Sequence, residues 1–252
     1  VIFMSGHSKW SQIKRQKGVT DQKRGALFTK LGKAITIAAR EGGGDMIGNF
    51  KLRLAVDKAK AANMPKDNID RAIKRGLSAQ AGTGELKGTQ AIEELVYEAF
   101  GPGGVAIIIK TLTDNKNRTA AEIKHILTKH QGHLGEPNSV NWQFKEQGVI
   151  RISPPFEGGD KEGVELVAID LGALDVEEQE LELVIITNKT DLQKVKEGLE
   201  QKNYNIEYAE LELVPENLVE VGDKVKAQLE KLLADLDASE DVSDYYHNAR
   251  LN

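Results

Sequence analysis

The first helix of the chain is predicted by apolar residues that recur at intervals of three and four. They form one stripe of a helix over residues 21–40, and comprise Leu27, Leu31, Ile35 and Ala38. A second side of the same helix carries four cations at spacings of seven, three and seven, namely Lys23, Lys30, Lys33 and Arg40. The helix is therefore expected to pack on one side and to present positive charge on the other, and Gly42-Gly43-Gly44 is expected to end it.

Two shorter helices are predicted next. Residues 49–62 form the second helix, and its candidate core residues are Phe50, Leu52, Leu54, Ala55 and Ala59. The third runs from Asp67 and is expected to close at Gly76, with Ile69, Ala72 and Ile73 inward. Residues 78–88 are small and polar and indicate a linker.

The pattern changes to alternating strands after residue 92. Strands are predicted over residues 94–100 and 105–112, and a polar loop over 113–119 precedes a helix over 120–130. Residues 140–144 and 148–152 are interpreted as a hairpin.

Strands and helices alternate again in the last third of the chain. The predicted order is a helix over 161–172, strands over 175–178 and 181–187, a helix over 192–202 and a strand over 205–213. This order favours a ferredoxin-like α+β unit. A final amphipathic helix, residues 218–236, is expected to return to the sheet of residues 94–112. The tail after residue 238 is expected to be partly ordered.

Charge divides the chain unevenly. The formal net charge is -5, but residues 1–80 hold 17 Lys/Arg and 6 Asp/Glu, whereas residues 81–252 hold 17 and 33. This asymmetry indicates a basic domain that faces a polyanion, joined to an acidic part. The acidic domains are expected to position the protein and to offer a surface to a partner such as a polymerase or the ribosome.

Composition excludes several classes of protein. The chain has no cysteine, which rules out disulfides, cysteine-ligated metals and a cysteine nucleophile. The longest purely apolar run, residues 105–109, is too short to span a bilayer. The first residues lack the pattern of a signal peptide, and residues 1–3 are interpreted as an extension before a start at Met4. A cytoplasmic protein without a membrane partner is predicted.

Candidate nucleic-acid contacts cluster at the front of the chain, because Lys and Arg neutralise phosphates and an aromatic ring can stack on a base. The candidates before residue 80 are Lys9, Trp10, Lys14, Arg15, Lys17, Lys23, Arg24, Lys30, Lys33, Lys66 and Arg71, extended by Lys74 and Arg75. The alternatives are a solvated basic helix and a Trp10 that anchors the N-terminal arm. Charge reversal at Lys23 and Lys30 is expected to weaken binding and to reduce its salt dependence.

A second set of candidate contacts lies ahead of the helix over residues 120–130. Lys116 and Arg118 are candidate phosphate contacts there, because the start of a helix favours anions. The alternative is capping, in which Asn115 or Asn117 accepts hydrogen bonds from backbone amides.

No catalytic or metal-binding motif is found. The spacing of His125 and His130 places them on different faces of one helix, and no acid completes a metal site with His133. Serines, histidines and carboxylates do not occur at catalytic spacings, so an enzyme would need a site assembled by folding. No cofactor and no metal are expected.

Several ordered motifs resemble the YebC/PmpR family across the chain from Met4 onward. They are Gly6-His7-Ser8-Lys9-Trp10, Lys23-Arg24-Gly25, Phe28-Thr29-Lys30-Leu31, the stretch from Asn63 to Ile69, Gly101-Pro102-Gly103-Gly104, the stretch from Thr113 to Glu122, Gly135-Glu136-Pro137 with Trp142, and Glu240-Asp241-Val242 with Tyr246-His247-Asn248. One departure is that residues 14–20 are less alanine-rich than in relatives.

The resemblance implies three domains, an N-terminal helical domain and two α+β domains, the last inserted into the second. The expected bounds are residues 1–80, residues 81–134 with 206–252, and residues 135–205 for the ferredoxin-like insertion. It also implies a DNA-binding transcriptional regulator. Mitochondrial relatives are translational activators, and some bacterial members are tied to ribosomes stalled on proline-rich sequences.

Three hypotheses follow. The first is a non-catalytic DNA-binding regulator that recognises mainly the phosphate backbone. The second is a ribosome-associated translation factor that binds rRNA, and it differs in that duplex DNA should not compete. The third is an enzyme with a site between domains, which would show a deep cleft with convergent, pKa-shifted side chains.

Overall fold

The computed structural model describes residues 21–80, 91–153, 161–179 and 182–251. It confirms the predicted α+β class, with a helical N-terminal region and antiparallel sheets. The described chain forms two compact units. We call residues 143–218 the insert unit, and residues 21–142 with 219–251 the main unit. The domain bounds given above stay predictions.

The elements are numbered in chain order. The helices are α1 (Asp21–Gly42), α2 (Phe50–Ala61), α3 (Lys66–Gln80), α4 (Lys116–Lys129), α5 (Lys161–Leu171), α6 (Leu192–Gln201) and α7 (Asp223–Ala238). The strands are β1 (Glu93–Phe100), β2 (Ala106–Thr113), β3 (His133–Leu134), β4 (Phe144–Ile152), β5 (Ala173–Gln179), β6 (Glu182–Asn188), β7 (Ile206–Pro215), β8 (Val219–Glu220), β9 (Val242–His247) and β10 (Ala249–Arg250).

Helices α1 to α3 pack around one apolar core. The stripe predicted for α1 is confirmed, because Leu31, Ile35 and Ala38 are buried and Leu27 packs against them. Helix α2 contributes Leu52, Val56 and Ala59 to this core, and Val56 is a member that the sequence analysis missed. Helix α1 ends at Gly42, and Gly43 follows with a φ of +81°, a conformation that suits glycine.

Gly76 does not end α3, which continues to Gln80. A Cβ at this position would lie 2.4 Å from the carbonyl oxygen of Thr36 and 2.8 Å from the Cβ of Ala39. Gly76 therefore permits the backbones of α1 and α3 to approach where they cross. Its role is close packing, whereas sequence reasoning interpreted it as a helix terminator.

The main unit is built on a four-stranded sheet with the order β3-β1-β2-β9. Ile107 and Ile109 of β2 share a core with α4 and with the buried side of α7, where Leu229, Leu232 and Leu236 lie. The prediction that the last helix returns to the sheet of residues 94–112 is therefore confirmed. Helix α4 begins at Lys116, earlier than predicted, because the side chain of Asn115 caps it.

The C-terminal tail is an integral part of this sheet. Strand β9 pairs antiparallel with β2, opposing Ile107 with His247 and Ile109 with Tyr245. Tyr245 is fully buried, so the expectation of a partly ordered tail is wrong for the described residues. Strand β9 covers one edge of the apolar strand β2, and this edge would be open without it. The pairing therefore holds the tail in place.

The insert unit is ferredoxin-like, as predicted. Its elements follow the order β4-α5-β5-β6-α6-β7, and its antiparallel sheet has the strand order β5-β6-β4-β7. The predicted hairpin at residues 140–152 is wrong, because β4 runs unbroken and pairs with both β6 and β7. Strand β7 belongs to this sheet, although the expected bounds assigned residues from 206 onward to the discontinuous domain.

Candidate nucleic-acid interface

Exposed cations collect on the outer side of α3 and at the end of α2. The helical period directs Ile69 and Ala72 into the core, which turns the charged positions outward. We call the following residues the α3 basic surface: Lys60, Lys66, Arg71, Lys74 and Arg75, all of them exposed.

Most of these cations have no ion-pair partner among the described residues. The side chains of Lys60, Lys66, Lys74 and Arg75 carry no salt bridge or hydrogen bond within the part of the chain that the structure describes. Arg71 bonds locally, donating to the side chain of Asn68 and to the carbonyl oxygen of Asp67. The surface is thus open to an external anion.

The α3 basic surface carries carboxylates as well. Asp67 and Asp70 lie on the exposed side of the same helix, so the helix has four cations and two carboxylates. The cations are thus separate from one another along the helix and are interrupted by carboxylates. Separate cations suit a repeated anion such as a phosphate backbone better than a single small ligand, because each cation can meet a different phosphate.

Lys30 and Lys33 of α1 face the C-terminal segment of the chain. The Nζ of Lys30 is buried and donates to the carbonyl oxygen of Asp237 at the end of α7, at 2.6 Å. The Nζ of Lys33 lies 2.7 Å from Oδ1 of Asp241. Both are therefore engaged within the main unit.

Arg40 behaves in the same way, since its guanidinium donates to the carbonyl oxygen of Ile92 at 2.7 Å. The second side of α1 is cationic, as the spacing predicts, but these three cations join the helix to the β-sheet part of the main unit. Sequence periodicity placed them on one side of the helix and could not show what that side faces.

Lys116 and Arg118 lie in the first turn of α4 and are also paired. Lys116 contacts Glu93 at 2.6 Å, and Arg118 contacts Asp114 at 3.0 Å and Asp241 at 2.8 Å. The predicted capping is observed, because Oδ1 of Asn115 accepts a hydrogen bond from the amide of Arg118 at 3.0 Å. Within the described chain, these two cations contribute to structure.

Asp241 is the centre of this second cluster. Its carboxylate accepts hydrogen bonds from Lys33, Arg118, Thr113 and Thr119. Burial opposes ionisation, but the hydrogen bonds from Lys33, Arg118 and Thr119 outweigh it and lower the pKa of Asp241 from 3.8 to about 2. The cluster therefore binds three segments of the main unit together as a charged network.

Of the remaining candidate contacts, only Arg24 has a side chain within the described part of the chain. Arg24 is exposed and takes part in an interaction within the protein. Lys9, Trp10, Lys14, Arg15 and Lys17 lie outside the described residues, as does the side chain of Lys23. Sequence analysis missed Lys60, an exposed cation in the last turn of α2, shortly before α3 begins at Lys66.

The described part of the chain shows neither a metal-ligand group nor a membrane-spanning helix. There, no group of three or more His, Asp or Glu side chains could hold a metal ion. None of the described helices has the length and apolar character needed to cross a membrane.

The fold and this arrangement of charge define an α+β protein with a basic helical region at its front. Two family models match the helical region and the α+β region separately. The model described as the TACO1/YebC protein N-terminal domain matches residues 8–79, and the model described as the TACO1/YebC second and third domain matches residues 92–249. The chain belongs to the TACO1/YebC family.

Individual relatives match over nearly their whole length. A protein of Desulfosudis oleivorans is 46% identical over 99% of this chain and 98% of its own. A protein of Moorella thermoacetica is 48% identical over 98% of this chain and 95% of its own. Both bear the name probable transcriptional regulatory protein. The crystal structure of the conserved hypothetical protein Aq1575 from Aquifex aeolicus has a TM-score of 0.83 at 39% identity and covers 96% of each chain.

Proposed function

We propose that this protein is a non-catalytic regulator that binds DNA through the α3 basic surface. The main support is that four exposed cations of this surface have no ion-pair or hydrogen-bond partner among the described residues. The uneven charge of the chain supports the proposal, because the acidic remainder repels phosphates and leaves one region for contact. The names of the relatives support a role in transcriptional regulation.

Binding is proposed to depend mainly on phosphates. Lysine and arginine that neutralise phosphates release condensed counterions, so affinity falls as salt rises. Lys9, Lys14, Arg15, Lys17 and Trp10 are proposed to extend the contact, with Trp10 stacking on an exposed base. Lys30, Lys33, Lys116 and Arg118 are omitted from the proposed contact, because each has an intramolecular partner.

The test is a double charge reversal on α3. Lys74→Glu with Arg75→Glu is expected to weaken binding to duplex DNA and to reduce the slope of log affinity against log salt by about 2, since each lost phosphate contact removes roughly 0.9. Fluorescence anisotropy with labelled duplex at several salt concentrations measures both quantities. Reversal of Lys30 would be a poor test, because that side chain is buried and its loss would also affect folding.

The matched control reverses two exposed lysines of α7, Lys224→Glu with Lys231→Glu. It changes the net charge by the same amount at a place outside the proposed contact. Equal losses in both variants would show that only net charge matters and would contradict the α3 surface. If rRNA fragments bind tightly and duplex DNA fails to compete, the DNA assignment is wrong and the translation hypothesis takes its place.

A further inference from the structure

Strand β1 has a free hydrogen-bonding edge on the side of β3. Strand β3 pairs with Ala99 and Phe100 alone, and the amide of Gly135 donates to the carbonyl oxygen of Glu98 on the same side. Alternate residues of a strand direct their main-chain groups to opposite sides. The N–H and C=O groups of Glu94 and Val96 therefore point to this edge, where no strand pairs with them among the residues described.

Two exposed apolar side chains lie beside this free edge. Val96 is 53% exposed, and Trp142 is 69% exposed. Trp142 directly follows Asn141, whose amide donates to the carboxylate of Glu98, and Glu98 is two residues from Val96 on the same side of β1. Tryptophan is among the side chains that are enriched at interface hot spots.

The turn that precedes Trp142 is held by hydrogen bonds to the side chain of Glu98. The Glu98 carboxylate accepts from the amides of Asn138, Val140 and Asn141 at 2.7, 2.7 and 2.8 Å. Burial opposes ionisation of Glu98, but these backbone hydrogen bonds outweigh it and lower its pKa. The indole Nε1 of Trp142 donates to the carbonyl oxygen of Ser139 at 3.1 Å. The ring thus has its polar group satisfied internally and presents its apolar surface to solvent.

Carboxylates outnumber ammonium groups beside the edge, although Lys110 of β2 lies opposite Val96. Glu93 and Glu94 flank the edge, and each is paired with one lysine, Lys116 and Lys51 respectively. Glu136, in the turn before Trp142, is exposed and has no ion pair among the described residues. A positively charged partner would complement this region better than a nucleic acid would.

We propose that the free edge of β1 binds an extended, lysine-flanked peptide segment of a partner protein, which adds a strand to the sheet and rests an apolar side chain against Trp142. Main-chain hydrogen bonds to Glu94 and Val96 supply affinity, and Val96 with Trp142 selects apolar side chains. The site is separate from the α3 basic surface and does not depend on it.

The probe is a fluorescein-labelled peptide of alternating valine and threonine with a lysine at each end. Its matched control has N-methyl groups on alternate amides, which removes those donors and leaves the side chains unchanged. The proposal expects a saturable rise in anisotropy for the probe and binding about tenfold weaker for the methylated peptide. Amide hydrogen exchange at Glu94 and Val96 of the unmodified protein should slow when the probe is added.

Variants separate the main chain from the side chains. Val96→Pro removes the outward N–H, at a place where an edge strand tolerates proline, and also replaces the valine side chain. Val96→Thr keeps the N–H and loses the apolar side chain, so the main-chain contribution predicts binding to Val96→Pro about fivefold weaker than to Val96→Thr. Trp142→Ala should weaken binding as well. Circular dichroism checks that each variant is folded, and the exchange measurement requires no variant.

Three results would overturn the proposal. They are equal binding of the methylated peptide, unchanged exchange at Glu94 and Val96 in the presence of saturating probe, and absence of probe binding. Sedimentation of the protein alone provides a further outcome. If the protein self-associates and Val96→Pro abolishes that association, the occupant of the edge is a second copy of this chain and the assignment to a peptide is wrong.

Discussion

The ammonium group of Lys33 lies 2.7 Å from Oδ1 of Asp241, and this ion pair joins the first described helix to the last segment of the main unit. Asp241 is almost fully buried and also accepts hydrogen bonds from Arg118 and Thr119. A carboxylate surrounded in this way holds α1, α4 and the start of β9 in one arrangement. The acidic tail therefore stabilises the basic helix from within the same unit.

Replacement of Asp241 by Asn should destabilise the protein by about 3 kcal/mol, because it removes the buried carboxylate and leaves the mostly buried ammonium group of Lys33 without its ion-pair partner. Urea unfolding followed by circular dichroism measures the change. Asp170→Asn, at an exposed position of α5, is the control and should stay within about 0.5 kcal/mol of the parent protein. Equal effects of the two substitutions would refute the role assigned to Asp241.

Stability should also fall in acid because of Asp241. Its pKa is about 2 in the folded protein and its ordinary value is 3.8, so the folded state binds the proton less readily than the unfolded state. The resulting stabilisation, roughly 2 kcal/mol, is complete above the ordinary value and is lost as pH falls from there toward about 2. The difference in unfolding free energy between the parent and Asp241→Asn should shrink over that interval, and a constant difference would contradict the assignment.

Gly76→Ala should destabilise the helical region by about 1–3 kcal/mol, despite the better helix propensity of alanine. The added Cβ would meet the backbone of α1 at the Thr36 carbonyl oxygen, 2.4 Å away, and overpacking costs more than the propensity gain of about 1 kcal/mol. Gly25→Ala in α1 is the matched control, because nothing lies within 4 Å of its Cβ position. That variant should be about 0.5–1 kcal/mol more stable, as thermal unfolding of both proteins would reveal.

Asn49→Asp should destabilise the protein by about 2 kcal/mol or more, although aspartate is a good helix cap. Oδ1 of Asn49 caps α2 by accepting from the amide of Leu52 at 3.0 Å, and Nδ2 donates to the carbonyl oxygens of Ala38 and Gly43, each at 2.8 Å. Aspartate keeps the cap but replaces Nδ2 by a carboxylate oxygen. That oxygen would face the carbonyl oxygens of Ala38 and Gly43 and be repelled by them.

The control for this prediction is Asn115→Asp. Asn115 caps α4 at an exposed position, where its Oδ1 accepts from the amide of Arg118. Little change is expected there, because an aspartate cap also interacts favourably with the start of a helix. A similar loss of unfolding free energy at both positions would mean that the Nδ2 contacts of Asn49 contribute nothing.

Elements with strong periodicity were predictable from sequence. The apolar stripe of α1 and the apolar side of α7 are both buried in the cores where they were expected. Their spacing places the apolar residues on one side of each helix, and burial of that side is favourable. Gly76 and residues 140–152 were interpreted wrongly because each depends on a distant neighbour. Gly76 is required by the backbone of α1, and β4 stays unbroken because β6 and β7 pair along both of its edges.

The number of cations in residues 1–80 was predictable from sequence, whereas the groups that those cations contact were not. The chain by itself determined that residues 1–80 are rich in cations and that Lys30, Lys33 and Arg40 share one side of a helix, since both follow from composition and the helical period. Only the tertiary structure decided that these three cations contact Asp237, Asp241 and Ile92, and that the cations of α3 remain exposed. The physical reason is that an ion pair forms between groups brought within a few ångströms by folding, and Lys33 and Asp241 are 208 residues apart along the chain.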